Sequence, residues 1–534
     1  MPLPPCHENR NGKIFHANLA MNLVIVHYHL NRGGVTRVIE NQLAALDSVL
    51  TGDGPWQAAI LYGGRRAGWD EQLAGRLRRI RLTLHELPEL AYDHLRPTGT
   101  ECGPVGLLMA VMNALGTLGF APADTLVHVH NHSLGKNAAL PEVLPILAQD
   151  GYALLLEPHD FAEDFRPGNY AAVRRLAAAG TLYPQAPHMH YAVLNQRDRA
   201  ILEKSGVPAE RLHLLPNPVP GAGAPHPRAD ARAKLAERFG VPPDARFLLY
   251  PVRCIRRKNV GEALLMAALA PPGTVLGLTL APLNPMETPY YERWKRLAAD
   301  LDLPCRFEVG GPGGLTFLEN LAAADAIVTT SVAEGFGMAV LEAWLAGCPL
   351  VGRDLPEINA DFRAAGIRLD GLSSDFRVPM AWLGRATFCR RFDAAYRRVL
   401  DAFARPVPTD LPQQIAAKAD AGWVDFADLD RELQETVIRR VAADPSDAAE
   451  LLRHNPWFSE AVQRTRENAA ELIAANEAAI RGVYALEPSG RRLLEVYGQL
   501  AAAPRDGSPI PLADPQKILA QFLTPSRFRP LRSE

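Results

Sequence analysis

Asn22-Leu-Val-Ile-Val-His-Tyr-His-Leu-Asn-Arg-Gly-Gly-Val35 joins a short apolar run to a pair of glycines and then to a helical pattern over Val35 to Leu46. An apolar, β-branched run without polar alternation predicts a strand buried on both faces, as in a parallel sheet covered by helices. The order recurs in Thr125-Leu-Val-His-Val-His130 and Ala153-Leu-Leu-Leu-Glu157. Residues 19–215 are therefore expected to form one doubly wound α/β domain.

A second series follows the turn-rich Asn217-Pro-Val-Pro-Gly-Ala-Gly-Ala-Pro225: Arg246-Phe-Leu-Leu-Tyr250, Val275-Leu-Gly-Leu-Thr-Leu280, Arg306-Phe-Glu-Val309 and Ala326-Ile-Val-Thr-Thr330. It predicts a second such domain over residues 216–360. Residues 361–424 break the rhythm with Met380-Ala-Trp-Leu383 and an Arg-rich helix from Arg390 to Phe403, and read as an insertion. Residues 425–504 are nearly all helical in pattern. Residues 505–534, rich in Pro, Arg and Ser, read as a surface tail, and residues 1–18 as a flexible amino terminus.

The 534 residues, 48% of them hydrophobic, exclude a single small module. A net charge of -2 leaves no global basic field, so no nucleic-acid partner is expected. Cys6, Cys102, Cys254, Cys305, Cys348 and Cys389 lack CxxC spacing, which argues against a zinc ribbon and against a disulfide framework. The run Leu19 to Val26 is too short and wrongly flanked for a secretion signal, and no stretch reaches the ~20 apolar residues that span a bilayer. The expected location is cytoplasmic, with a peripheral membrane contact left open.

Facing α/β domains predict a ligand in the cleft between the carboxyl ends of their strands, and the motifs fall just after strands. Gly33 and Gly34 let backbone approach an anion at the start of a helix, although an ordinary strand-to-helix turn would look the same. Glu334-Gly-Phe-Gly-Met-Ala-Val-Leu-Glu342 follows Ala326 to Thr330 and opens a helix closed by Gly347 and Pro349. Its carboxylates, eight residues apart, would lie near one face if the helix begins early. Gly335 and Gly337 would leave N–H groups for a diphosphate, and carboxylates accept hydrogen bonds from sugar or ribose hydroxyls. The alternative is that Glu334 caps a helix and Glu342 is solvated.

The Glu334–Glu342 motif resembles the Glu-x7-Glu hallmark of the retaining glycosyltransferases of family 4. Val252-Arg-Cys-Ile-Arg-Arg-Lys-Asn259 is similar to that family's Arg and Lys pair on the donor diphosphate, here Arg253 and Lys258. Leu215-Pro-Asn-Pro-Val219 is similar to its interdomain Pro-Asn-x-Val element, and Gly33-Gly34 to its donor loop. The resemblance spans about residues 22–360 and, more loosely, 425–500. It implies a GT-B architecture of two Rossmann-like domains facing across a cleft, with a helical insertion and a helical carboxyl-terminal segment crossing back onto the first domain. It implies retention of anomeric configuration and transfer of a sugar, with glucose or mannose favoured, from a nucleotide-diphosphate sugar. A UDP-sugar is the favoured co-substrate, with no separate cofactor and no metal; the acceptor is open among small molecules, glycans and lipids.

On that resemblance His159, Glu334, Arg253 and Lys258 are the expected catalytic residues. Gly33, Gly34, His130, Asn217, Gly335, Phe336, Gly337, Met338 and Glu342 are expected to bind donor. Glu334 would hold the sugar's hydroxyls, Glu342 the ribose, and Arg253 and Lys258 the charge that grows on the diphosphate. His159 would orient the sugar or handle the acceptor proton. His128, His130 and His132 alternate at a strand end and share a face, which suits a metal site as well as a cleft or packing role. Asp428-Leu-Asp430 has the form of a metal-binding DxD, but its place at a helix start reads as capping. Two further classes stay open: a GT-B sugar-nucleotide epimerase, and an inactive GT-B sugar-nucleotide or glycan-binding protein. Leu472, Ile473, Ile480 and Val483, then Leu493, Leu494 and Tyr497, predict two amphipathic helices in the closing segment.

Overall fold

The computed structural model describes residues 21–51, 55–96, 102–221, 226–465 and 469–533. The amino terminus read as flexible, part of the turn-rich stretch after Asn217 and the start of the first closing helix at Asn468 lie outside them. The chain divides into two compact units. The first takes the described residues up to Pro220 and Gly482–Leu523; the second takes Gly221–Arg481 and Thr524 onward.

The first unit is built on a parallel sheet of seven strands: β1 (Asn22–His27), β2 (Trp56–Tyr62), β3 (Ile80–Glu86), β4 (Thr125–His130), β5 (Ala153–Glu157), β6 (Met189–Val193) and β7 (Leu212–Leu214). The order β3-β2-β1-β4-β5-β6-β7 reverses direction between β1 and β4, the topological switch point where open α/β sheets place ligands. β5 is buried along its whole length, which is why its sequence does not alternate; β4 is equally buried although His128 and His130 alternate with Val127 and Val129. Helix α1 (Gly34–Val49) follows β1 and lays Ile39, Leu43 and Leu46 into the core.

The second unit holds β8 (Arg246–Arg253), β9 (Thr274–Leu280), β10 (Cys305–Phe307), β11 (Ala326–Thr329), β12 (Leu350–Arg353) and β13 (Leu372–Ser373) in the parallel order β10-β9-β8-β11-β12-β13. β14 (Arg377–Pro379) and β15 (Trp423–Asp425) pair antiparallel. The stretch read as an insertion thus supplies edge strand β13 as well as the helix Arg385–Ala402. Buried Arg353 ties it down by donating to the Ser374 carbonyl (3.0 Å), and also donates to Glu262 (2.6 and 2.9 Å) and to Asp425 (2.7 and 2.9 Å). Helix α2 (Met338–Leu345) follows β11.

Near the carboxyl end, α3 (Ala469–Tyr484) passes from the second unit into the first, and α4 (Leu486–Ala501) lies against α1. A Cβ at Gly490 would sit 2.0 Å from the Ala45 carbonyl oxygen, so only glycine permits this approach. Leu493, Val496, Tyr497 and Leu500 then join Leu43 and Leu46 in one core. The stretch read as a tail carries Leu512, Ile518 and Phe522 buried in the first unit and Phe528 and Leu531 buried in the second.

Candidate functional site

In the second unit, β8 ends at Arg253 and the chain makes a tight turn over Arg256–Lys258 before Asn259, at φ 47°, starts the next helix. This turn is sewn to the loop after β11. The Val332 amide donates to the Arg257 carbonyl (2.9 Å), while Thr330 (2.9 Å) and Tyr250 (2.8 Å) donate hydroxyls to the Lys258 carbonyl. The turn therefore presents Arg257 and Lys258 together to Glu334. Arg257 Nη1 lies 2.6 Å from one Glu334 oxygen, and Lys258 Nζ bonds the other.

The pair is not symmetrical. Burial pushes the Glu334 carboxyl upward, but Arg257 and Lys258 outweigh it and hold its pKa at about 2. Lys258 faces one anion and a second cation; burial and Arg257 lower its pKa despite Glu334. Arg256 turns away, to Glu287 at 3.0 Å. Arg257 escaped the sequence reading because a run of Arg256, Arg257 and Lys258 does not say which side chains a tight turn will aim at one carboxylate.

Glu334 and Glu342 do not share a helix face, because α2 begins only at Met338 and Glu334 stays in the preceding loop. Gly337 stands at φ 88°, a left-handed conformation open to glycine, and lets the backbone turn into the helix. Phe336 is buried edge-on against Phe362 at 5.4 Å, and Gly335 lies half-buried between it and Glu334. Met338 and Glu342 are half-buried on α2. No acidic side chain occupies the first turn of α2. Arg253 is half-buried at the end of β8. Lys258, Glu334 and Gly337 line one small cavity with Tyr250, Ser331 and Asn359.

In the first unit, Gly33 and Gly34 are exposed at the start of α1 in a φ region open to any residue at Gly33, and among the described residues no side chain lies within 4 Å of a Cβ built at either. Asn217 is buried beside Pro218, whose carbonyl accepts from Asn41 (2.9 Å). At the ends of β4 and β5 the structure gathers a group of rings around one carboxylate. Tyr497 of α4 bonds His128 Nδ1 (2.9 Å), and His128 Nε2 bonds Glu157 (2.7 Å). Gln42 of α1 donates to both Glu157 oxygens (3.0 and 3.2 Å). His130 Nδ1 and His159 Nε2 are 2.8 Å apart.

Asn131, at φ 61°, fixes the loop that carries His159: its side-chain oxygen accepts from the amides of His159 (2.8 Å) and Asp160 (3.0 Å). The same left-handed residue sends His132 off the shared face, against Tyr183 and Tyr191. Burial lowers the pKa of His27, of His130 and of His159; for His159 the effect outweighs Glu157 and Asp160. Burial acts to raise the Glu157 carboxyl, but His159, His128 and Gln42 bring it below its ordinary value. His128, His130 and Glu157 do bring ligand-type atoms within 4.8 Å of one another, yet both His128 nitrogens and His130 Nδ1 already have partners. Glu157 and Asn131 escaped the sequence reading, although Glu157 stands opposite His130 in register.

A separate pocket of about 830 Å³ opens in this unit beyond β1, β2 and β3, lined by Tyr28, His29, Arg65, Tyr92 and Arg96. His29 Nε2 meets the Tyr92 hydroxyl at 3.1 Å, and Lys136 lies 5.7 Å over the Tyr92 ring. Asp428 bonds Lys418 and Arg529, and Asp430 caps the helix Arg431–Ala443 by accepting from the Leu433 amide, so the DxD is structural. No helix among the described residues is long and apolar enough to cross a membrane.

Residues 231–374 match the family described as Glycosyl transferases group 1. Mannosylglucosyl-3-phosphoglycerate synthase of Petrotoga mobilis is 27% identical over 439 residues, which are 80% of this chain and 83% of that one. Among solved structures, sucrose-phosphate synthase of Thermosynechococcus elongatus matches with a TM-score of 0.53 at 17% identity, over 90% of this chain and 99% of its own. Anabaena HepE, solved with UDP and glucose, matches with a TM-score of 0.50 at 14% identity over the same shares. These two likenesses establish the fold as GT-B.

Proposed function

We propose that this chain, a GT-B glycosyltransferase, moves a hexose from a nucleotide-diphosphate sugar to an anionic acceptor, with retention of configuration. The observation that carries the reading is Glu334 held between Arg257 and Lys258 at the entrance to α2. Cleaving the bond between sugar C1 and the diphosphate leaves negative charge on phosphate oxygens, and fixed cations and helix N–H groups stabilise it. Arg257, Lys258 and the amides at Gly337 and Met338 take that role, with Arg253 beside them. When donor binds, the cations share themselves between Glu334 and the diphosphate, which frees a Glu334 oxygen for a sugar hydroxyl. Glu342 takes the ribose.

The favoured donors carry UDP, in keeping with the UDP bound by HepE, and mannose or glucose, the two sugars in the Petrotoga enzyme's name. That name also supports an acceptor bearing a phosphate or carboxylate on a glucosylated three-carbon acid. The pocket lined by Arg65 and Tyr92, with Lys136 placed over the Tyr92 ring, suits such a ligand: cations answer its charge and Tyr92 offers a face to its sugar. His159 bonds the reacting sugar, and Gly33, Gly34, His130 and Asn217 complete the donor contacts. Screening the purified protein against nucleotide sugars by thermal shift, then assaying transfer to glucosyl-3-phosphoglycerate, tests this. Stabilisation by at least one nucleotide sugar and a new glycosidic product are expected; no shift with any donor would overturn the reading.

A further inference from the structure

Glu157 is fully buried, yet it is not an isolated charge: every strong contact it makes is a hydrogen bond with one possible direction. Gln42 Nε2 can only donate, and it reaches both carboxylate oxygens. A carboxylate can only accept, so His128 carries its proton on Nε2 and its Nδ1 must accept from the Tyr497 hydroxyl. Nothing in this chain of bonds needs a proton on Glu157.

The next ring follows from the same accounting. His130 is fully buried and, among the described residues, its Nε2 has no hydrogen-bond partner. A buried N–H without an acceptor is more costly and rarer than a bare lone pair, so the His130 proton belongs on Nδ1. There it lies 3.5 Å from Glu157 and 2.8 Å from His159 Nε2; that nitrogen is itself 3.7 Å from the other Glu157 oxygen, so the orphaned His130 Nε2 decides which of the two carries the proton, and His159 Nε2 then accepts. His159 in turn carries its own proton on Nδ1. Among the described residues no protein group bonds that nitrogen, and the ring is 6% exposed. The charged or titratable groups facing the pair are Glu157 on β5, His128 on β4, His27 on β1, Tyr497 on α4 and Asp160 in the loop.

We propose that Glu157 is a positioning residue: it fixes the His130 tautomer and so makes His159 a hydrogen-bond donor, through Nδ1–H, to the sugar. This rests on the reading of His159 as a sugar contact. It assigns that ring a donor's role at an oxygen of the substrate and not a base's role at the acceptor hydroxyl. Tyr497 makes the arrangement depend on α4 being docked, because the same carboxylate orients the ring that Tyr497 holds.

Selective 15N-histidine spectra of the full chain read each ring's tautomer directly, with His128→Gln, His130→Gln and His159→Gln variants used to assign the signals. The unmutated protein should show His130 and His159 protonated on Nδ1 and His128 on Nε2; a His159 ring protonated on Nε2 overturns the proposal with no variant needed. Glu157→Gln should mix the His130 and His159 tautomers and lower kcat about a hundredfold, the scale of losing one preorganised donor, while KM for the donor stays within about twofold. A variant with unmoved tautomers, or with KM raised and kcat kept, overturns it too. If the unmutated protein transfers no sugar, the functional reading fails, and the spectra still decide the role of Glu157.

Discussion

The second unit holds its candidate site with full charges, while the first holds its own with neutral rings around one buried carboxylate. Arg257, Lys258 and Glu334 sit on two loops, and the Glu334 side chain keeps 17% exposure, so water and ligand can compete for it. Glu157, His128 and His130 are shut off from solvent, and their arrangement draws on β4, β5, α1 and α4. Charges act over distance and tolerate rearrangement; a neutral network works only while every ring keeps its place. The first site should therefore fail through geometry and the second through charge.

The largest expected effect falls on both. Removing residues 505–534 strips Leu512, Ile518 and Phe522 from the first unit and Phe528 and Leu531 from the second. Each such buried side chain contributes about 1.5–3 kcal/mol, so the truncated chain should melt well below the full one in calorimetry. An unchanged melting temperature would mean the segment is the tail that its composition suggested. Next, Glu334→Gln should lower turnover by about 10²–10³ with the circular dichroism spectrum kept, since it removes an anion that orders two cations. Arg257→Ala and Lys258→Ala should each cost about 2–4 kcal/mol in kcat/KM. If Arg253→Ala costs as much and Arg257→Ala nothing, the side chain seen on Glu334 is not the one that grips phosphate.

Acid should separate the two regions. The folded pKa values of His27, His130 and His159 lie below the ordinary 6.5, so their unprotonated forms support the fold above about that pH and the support is lost as pH falls through it. Glu334, at about 2 against an ordinary 4.5, keeps its contribution until pH drops below 4.5 and loses it on the way to 2. Hydrogen exchange between pH 7 and pH 4 should show β4 and β5 loosening before the loop at Glu334; the reverse order would contradict the picture. The smallest effect is none: turnover should be the same with EDTA, because cationic side chains meet the charge of the leaving group.

The centre of each sheet was legible in the sequence, since short uninterrupted runs such as Ala153 to Leu156, recurring between helical patterns, suit covered parallel strands, whereas β2, β3, β6, β7 and β12 were not read. The Glu334 motif was legible as well, but not its geometry, because the start of α2 depends on the left-handed turn at Gly337. Residues whose role is to hold other residues were hidden. Glu157 looks like the polar end of a strand until β4 pairs with it, and Tyr497 looks like one more apolar position of α4 until its hydroxyl meets His128. The edge strand β13 was lost for another reason: a strand of two residues leaves no periodicity to read.

The path of the chain through its two units also sets a timetable. The polypeptide leaves the first unit after Pro220, returns at Gly482 and leaves again after Leu523. A nascent chain on the ribosome therefore holds a seven-stranded sheet whose α1 surface lacks α4 while the whole of the next stretch is made, on the order of tens of seconds at ordinary rates of synthesis. Leu43 and Leu46 are without their partners for that interval, which makes this half-built domain a natural client for chaperones and the stage at which production in a foreign host is most at risk of aggregation.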